Sequence, residues 1–201
     1  MNTIKIWNDT PSERQLTDIA AALREGHLAV IPTDTCYAIA ANALDVKAVD
    51  RVCRLKGINP EKSNLSILCS NISMASEYAR IDNKGFRLLR DNTPGAFTFL
   101  FRTAGTLPRA FKGRKVVGVR IPDCNVARKI AETLGNPLIV TSIEYAAEDY
   151  AINPELIAEA YYDRAELMVE GGQGSTDVST IVNCTSDTPA VTREGKSPID
   201  L

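Results

Sequence analysis

LAVIPTDTCYAIAAN, residues 28–42, opens with the apolar run Leu28–Ile31 and closes with a second, Ala38–Ala41. Each run has the length and composition of a buried strand. Between them stand Pro32, Thr33, Asp34, Thr35, Cys36 and Tyr37, where a plain strand would stay apolar. Pro and Asp suit a turn for conformational reasons alone. Two core strands joined by hydroxyls, a carboxylate and a phenol also describe one wall of a ligand cavity at a sheet edge.

The segments on either side supply helices and further strands in alternation. Upstream, Ser12 with Gln15 three residues later has capping-box spacing; Leu16, Ile19, Ala20 and Leu23 recur at helical intervals, and Gly26 supplies the stop. Downstream, Asp45 caps a helix that sets Val46, Val49, Val52 and Cys53 on one face and ends at Gly57. Leu65–Cys69 reads as a strand, and Asn71 and Asp82 cap helices over Ile72–Tyr78 and Asn83–Arg90. Phe97–Phe101 is aromatic and β-prone, and Val116–Ile121 alternates. Asn125 starts a helix that Gly135 ends, Pro137–Ser142 is a buried strand, and Asn153-Pro154 heads another helix. Short strands follow near Ala165–Val169, Ser179–Asn183 and Pro189–Thr192. Interleaved strands and helices define an α/β fold with a mixed sheet. No repeat, linker or low-complexity segment divides the 201 residues, so residues 1–201 read as one domain.

Composition excludes several classes. With 44% hydrophobic and 24% charged residues the chain is an ordinary globular sequence. No window nears the roughly 18–20 apolar residues of a membrane span, and no export signal is visible at the N-terminus. Five cysteines without C-x-x-C pairs suggest neither a disulfide framework nor a zinc site, which fits a reduced, cytoplasmic protein. Charge is uneven about a net −2. Asn92–Pro122 holds no acid but carries Arg102, Arg109, Lys112, Arg114, Lys115 and Arg120; Glu144–Val178 holds nine acids against Arg164 alone. The basic block is a solvated face or an anion-binding hollow.

Familiar catalytic patterns are missing. There is no G-x-S-x-G, H-E-x-x-H or G-x-x-x-x-G-K-[ST], and the single histidine, His27, precedes a buried strand. Cys36 has no evident base, and GGQG (Gly171–Gly174) reads as a loop. What recurs instead is a strand end bearing a hydroxyl or an arginine: Thr33 and Thr35, Thr98, Arg120, Thr141 and Ser142, Ser179 and Thr180, Arg193. In α/β sheets ligands bind beyond strand ends, and hydroxyls with Arg forks suit phosphate and carboxylate. Without a nucleophile–base pair, such a site orients anionic substrates.

These residues also carry a resemblance. IPTDTCYAIA is similar to the PTET-Y-G-G signature of the YrdC/YciO family, the threonylcarbamoyl-AMP synthase superfamily. The similarity continues in order through RVCRLKG, NTPGAFTFLF, VGVRIP, PLIVTS, STIVN and VTREG, from about Leu28 to Gly195. The resemblance implies a single-domain twisted mixed sheet around a large basic cavity, in the family's short form. It implies a nucleotidyltransferase that joins L-threonine, bicarbonate and ATP, the last as its Mg²⁺ complex, into threonylcarbamoyl-AMP for t6A modification of tRNA, with no tightly bound cofactor and no fixed metal site. Thr33, Thr35, Tyr37, Thr98, Arg120 and Thr141 would then hold the amino acid. Lys56, Ser142, Ser179, Thr180 and Arg193 would hold the nucleotide, with Lys56 and Ser142 nearest the chemistry.

Two departures qualify that implication. Where synthases read K-x-R, this chain has Lys56-Gly57-Ile58; where they read S-x-N, it has Ser142-Ile143-Glu144. Losing an Arg fork removes a contact worth on the order of 1.5–3 kcal/mol, and a carboxylate facing a polyphosphate repels it. Lys62, in a loop a residue longer than usual, offers a partial substitute. The sequence resembles the YciO branch better. Three readings stay open: a weak synthase, a tRNA- or double-stranded-RNA-binding or ribosome-associated factor using the basic rim without catalysis, and a relative with another ligand.

Overall fold

The computed structural model describes residues 1–57, 65–105, 107 and 115–201. Ile58, Lys62, Arg109, Lys112 and Arg114 lie outside the described residues. In chain order the elements are β1 (Asn2–Lys5), α1 (Glu13–Arg24), β2 (Ala29–Ile31), β3 (Ala38–Asn42), α2 (Val46–Leu55), β4 (Ser66–Leu68), α3 (Ile72–Tyr78), β5 (Ala79–Arg80) and α4 (Asn83–Asn92). There follow β6 (Phe97–Thr103), β7 (Val116–Arg120), α5 (Asn125–Leu134), β8 (Leu138–Ser142), α6 (Asp149–Ile152), α7 (Pro154–Ala160), β9 (Leu167–Glu170), β10 (Thr180–Asn183) and β11 (Ala190–Arg193).

The helix starts follow their caps. Ser12 and Gln15 close a reciprocal capping box at α1. Asp45, Asn71, Asp82 and Asn153 accept backbone N–H groups at α2, α3, α4 and α7, and Pro154 occupies the first turn of α7. At α5 the cap is remote. Cys124 offers no side-chain bond there; the Asp9 carboxylate accepts from the Asn125 and Val126 amides at 2.6 and 2.7 Å. On α2, Val49, Val52 and Cys53 are buried as their spacing predicts. Val46, the first residue of the helix, is not: it stands 39% exposed.

Among the described residues eleven strands form one mixed sheet, ordered β1-β9-β2-β3-β8-β4-β7-β6-β10-β11, with β5 attached to β6. The pairs β1·β9, β2·β9, β4·β7 and β6·β10 are parallel, and β2·β3, β3·β8, β4·β8, β6·β7, β10·β11 and β5·β6 are antiparallel. Strand residues alternate between two apolar layers. On β3, Ala38 and Ala40 join the layer with Leu16, Ile19, Leu23, Ile130 and Leu134 of α1 and α5. Ile39 and Ala41 join the other, with Val49 and Val52 of α2 and the Phe97, Phe99 and Phe101 rings. No helix among the described residues is long and apolar enough to cross a membrane.

Candidate functional site

The insert between β2 and β3 folds as a self-bonded turn. The Thr33 hydroxyl donates to the Cys36 carbonyl at 2.7 Å, accepts from the Thr35 amide at 3.1 Å and lies 3.1 Å from the Thr35 hydroxyl. The Asp34 carboxylate turns inward. Its Oδ1 receives Arg120 Nη2 at 2.8 Å and its Oδ2 accepts the Asp123 amide at 2.8 Å. Arg120 Nη2 also donates to Thr35 Oγ1 at 3.1 Å. The Arg120 and Asp34 side chains are only 8% and 7% exposed.

Arg120 ends β7, whose period of two puts Gly118 on the same face. A Cβ at Gly118 would stand 2.6 Å from Ser66 Oγ and 3.0 Å from Thr98 Cγ2, so glycine keeps this part of the sheet face low. Over it lies a cavity of about 200 Å³ lined by Ser66, Thr98, Arg120, Thr141, Ser142, Ser179 and Arg193 on an apolar floor that includes Val52, Leu65, Ile139 and Ile181. The lining comes from consecutive strands, β3, β8, β4, β7, β6, β10 and β11. Register explains the grouping: Ile181 sits opposite Thr98 on one side and Arg193 on the other.

Electrostatics favour an anion there. Thr98 Oγ1 lies 2.8 Å from Ser179 Oγ, and Arg193 Nη2 donates to that same hydroxyl at 3.1 Å and to the Ser179 carbonyl at 2.7 Å. Burial first, then the neighbouring Arg120, hold the Arg193 guanidinium below its ordinary value. Two guanidiniums thus face one cavity. Arg120 Nε is buried without a hydrogen-bond partner, a costly state unless an acceptor arrives. A carboxylate or phosphate oxygen would supply it.

Six of the expected site residues therefore meet: Thr98, Arg120, Thr141, Ser142, Ser179 and Arg193. Thr33 and Thr35 stand behind Arg120 in the turn that orients it. Tyr37 does not line the cavity; its hydroxyl donates to the Gly172 carbonyl at 2.7 Å and accepts the Gly171 amide at 3.0 Å. Burial, then the opposing Gly171 bond, leaves that phenol pushed up to about 12. Thr180, the first residue of β10, is absent from the lining as well; its hydroxyl accepts the Gly195 amide at 3.1 Å and donates to the Ser197 carbonyl. Lys56, at the end of α2, pairs with Glu144 at 3.0 Å. Sequence reasoning missed Ser66 and Gly118. The alternation of β4 and β7 was a usable signal, but their pairing across the sheet was not visible.

Fold and site together define an α/β protein with a cavity lined by hydroxyls and two arginines across one sheet face. Residues 21–195 match the family model Sua5_yciO_yrdC, described as "Telomere recombination", and the chain belongs to this Sua5/YciO/YrdC family. It is 33% identical over 193 residues to the uncharacterised protein YciO of Escherichia coli (strain K12), covering 94% of this chain and 93% of that one. The crystal structure of E. coli YciO superposes with a TM-score of 0.88 at 31% identity, over 96% of this chain and 95% of that one. Pyrococcus abyssi Sua5, in a crystal structure complexed with L-threonine, gives 0.87 at 27% identity, over 97% of this chain and 58% of that one. The threonylcarbamoyl-AMP synthase of P. abyssi is 29% identical over 90% of this chain, which spans about half (54%) of that protein's length.

Proposed function

We propose that this protein binds an amino acid and a nucleotide in the cavity under Arg120 and Arg193 and performs ATP-dependent threonylcarbamoyl-AMP synthesis at a reduced rate. The observation that carries this reading is the unpartnered, buried Arg120 Nε beside the Thr98–Ser179–Arg193 relay. That set offers one fixed donor to a carboxylate oxygen and a second cation for a phosphate. Support for the amino acid comes from the P. abyssi structure with L-threonine, and for the reaction from the synthases among its relatives.

In this reading the L-threonine amine and bicarbonate form a carbamate with loss of water. A carbamate oxygen attacks the α-phosphorus of the Mg²⁺–ATP complex, the bond to the β-phosphate breaks and pyrophosphate leaves. The protein contributes placement and charge: Arg120 and Thr141 fix the carboxylate, while Ser142, Ser179 and Arg193 hold the phosphates where negative charge develops. The product would feed t6A modification of tRNA. Mixing protein, Mg²⁺–ATP, L-threonine and bicarbonate is expected to release pyrophosphate only when threonine is present, and Arg193→Ala is expected to abolish it. Equal release without threonine overturns the reading. The RNA-binding alternative predicts instead retention of tRNA or double-stranded RNA that falls steeply with salt.

A further inference from the structure

Lys56, expected nearest the chemistry, is not among the residues lining the cavity, and it is already engaged. It caps the C-terminal end of α2 one turn beyond Val52, a residue of the cavity floor, and its Nζ lies 3.0 Å from Glu144 Oε1. Glu144 is two residues past Ser142 on the cavity wall. Its backbone is gripped from both sides by the Tyr161 hydroxyl, which accepts the Glu144 amide at 2.7 Å and donates to the Glu144 carbonyl at 3.1 Å. The carboxylate is thus rooted beside the cavity, with the lysine side chain 15% exposed and the glutamate 62%.

Charge matching around the cavity then has a simple outcome. Asp34 answers Arg120 and Glu144 answers Lys56. Arg193 bonds only to Ser179 among the described residues. Among the described residues lining the cavity, one guanidinium, that of Arg193, is left without a carboxylate partner. A polyphosphate at Arg193 brings several negative charges where, among the described lining residues, one cation is free, and the Glu144 carboxylate is rooted two residues from Ser142 of the cavity wall. An amino-acid carboxylate, or the phosphodiester-like phosphate of an acyl-adenylate, brings one.

We propose that Glu144 is a specificity determinant: by holding Lys56 it tunes the cavity to singly charged anions and against polyphosphates. This rests on the assignment of the cavity as the ligand site. It makes the triphosphate the weakly held substrate, whereas the amino acid is held normally.

Titration calorimetry of L-threonine and of Mg²⁺–ATP against the wild type, Glu144→Gln, Lys56→Gln and the double variant tests this, with melting curves confirming that each folds. Glu144→Gln is expected to tighten Mg²⁺–ATP about tenfold, the effect of one nearby charge, and to leave L-threonine unchanged. Lys56→Gln, which leaves the carboxylate unanswered, is expected to weaken Mg²⁺–ATP, and the double variant to return to the wild-type value. The gain should shrink with added salt because Glu144 is exposed. Threonine binding with no change for Mg²⁺–ATP in Glu144→Gln overturns the proposal alone, as does an equal gain for both ligands. Absence of binding by either ligand to every protein overturns the assignment of the cavity and this proposal with it.

Discussion

Arg120 reaches Asp34 with one nitrogen, Nη2 to Oδ1 at 2.8 Å, while its Nε stays buried and unpartnered. The carboxylate thus orients the guanidinium without saturating it. Asp34 also receives the Asp123 amide, so the pair joins the β2–β3 turn to the end of β7. Breaking a buried pair by removing one partner leaves an uncompensated charge, at a cost of about 3–5 kcal/mol. Asp34→Asn is expected to lower the urea-unfolding midpoint accordingly and, because Arg120 loses the contact that fixes its orientation, to weaken L-threonine binding even though a negative charge is removed. Asp34→Ala/Arg120→Met should recover much of the stability and none of the binding. Unfolding curves and titration with L-threonine read the two effects separately.

Gly195 is held against β10, its amide donating to Thr180 Oγ1 at 3.1 Å. A Cβ there would meet Val178 O at 2.4 Å, Ser179 C at 2.5 Å and Thr180 N at 2.6 Å, all backbone atoms. Gly195→Ala must therefore shift the tail, and Arg193 lies two residues away. A loss of roughly 1–3 kcal/mol, the usual size of an overpacking penalty, is expected. Mg²⁺–ATP binding should fall with it, because the Arg193 contacts to Ser179 move. Thermal unfolding with calorimetry checks both.

What was legible in the sequence was local. Ser12, Asp45, Asn71, Asp82 and Asn153 announce their helices because a cap lies within three residues of the amide it serves. The cap of α5 was not legible, since Asp9 sits 116 residues from Asn125 in the chain. The strands β1 and β5 were missed because each is short and defined by a partner strand distant in sequence, and the single turn α6 because four residues carry no helical period. The same division runs through the site. Strand-end hydroxyls and arginines marked the cavity, but of the adjacent letters Ser179 and Thr180 only Ser179 lines it, and only the sheet separates them. The two ion pairs, Arg120–Asp34 and Lys56–Glu144, span 86 and 88 positions and carry no local signal.

Glu166 supplies an acid-sensitive link. Its Oε2 accepts the Leu28 amide at 2.8 Å and its Oε1 meets Arg51, which also donates to the Gly26 carbonyl. Burial pushes the carboxyl up, but the Arg51 and Leu28 bonds outweigh it and hold it below its ordinary 4.5. A depressed carboxylate adds stability above the unfolded-state value and loses it as pH falls through the folded one. The urea midpoint is therefore expected to drop as pH goes below about 4.5. Glu166→Gln should flatten that part of the profile and lie below the wild type at neutral pH. Parallel profiles for the two proteins would assign the acid sensitivity elsewhere.

Tyr37 fastens the strand that follows the β2–β3 turn to the loop after β9. Its ring is 1% exposed, and its hydroxyl satisfies both the Gly172 carbonyl and the Gly171 amide. Tyr37→Phe keeps the ring and leaves those two backbone groups without their partner, which costs about 1–3 kcal/mol where water cannot replace it. The effect on ligand binding should be indirect. The loop after Gly171 leads to Asp177, whose carbonyl accepts the Cys36 amide at 3.2 Å, and then to Ser179 in the cavity wall. Loosening it is expected to raise the apparent Kd for Mg²⁺–ATP, through Ser179 and Arg193, more than that for L-threonine, which rests on Arg120 and Thr141. A larger loss for L-threonine than for Mg²⁺–ATP would instead place the Tyr37 hydroxyl in contact with the amino acid.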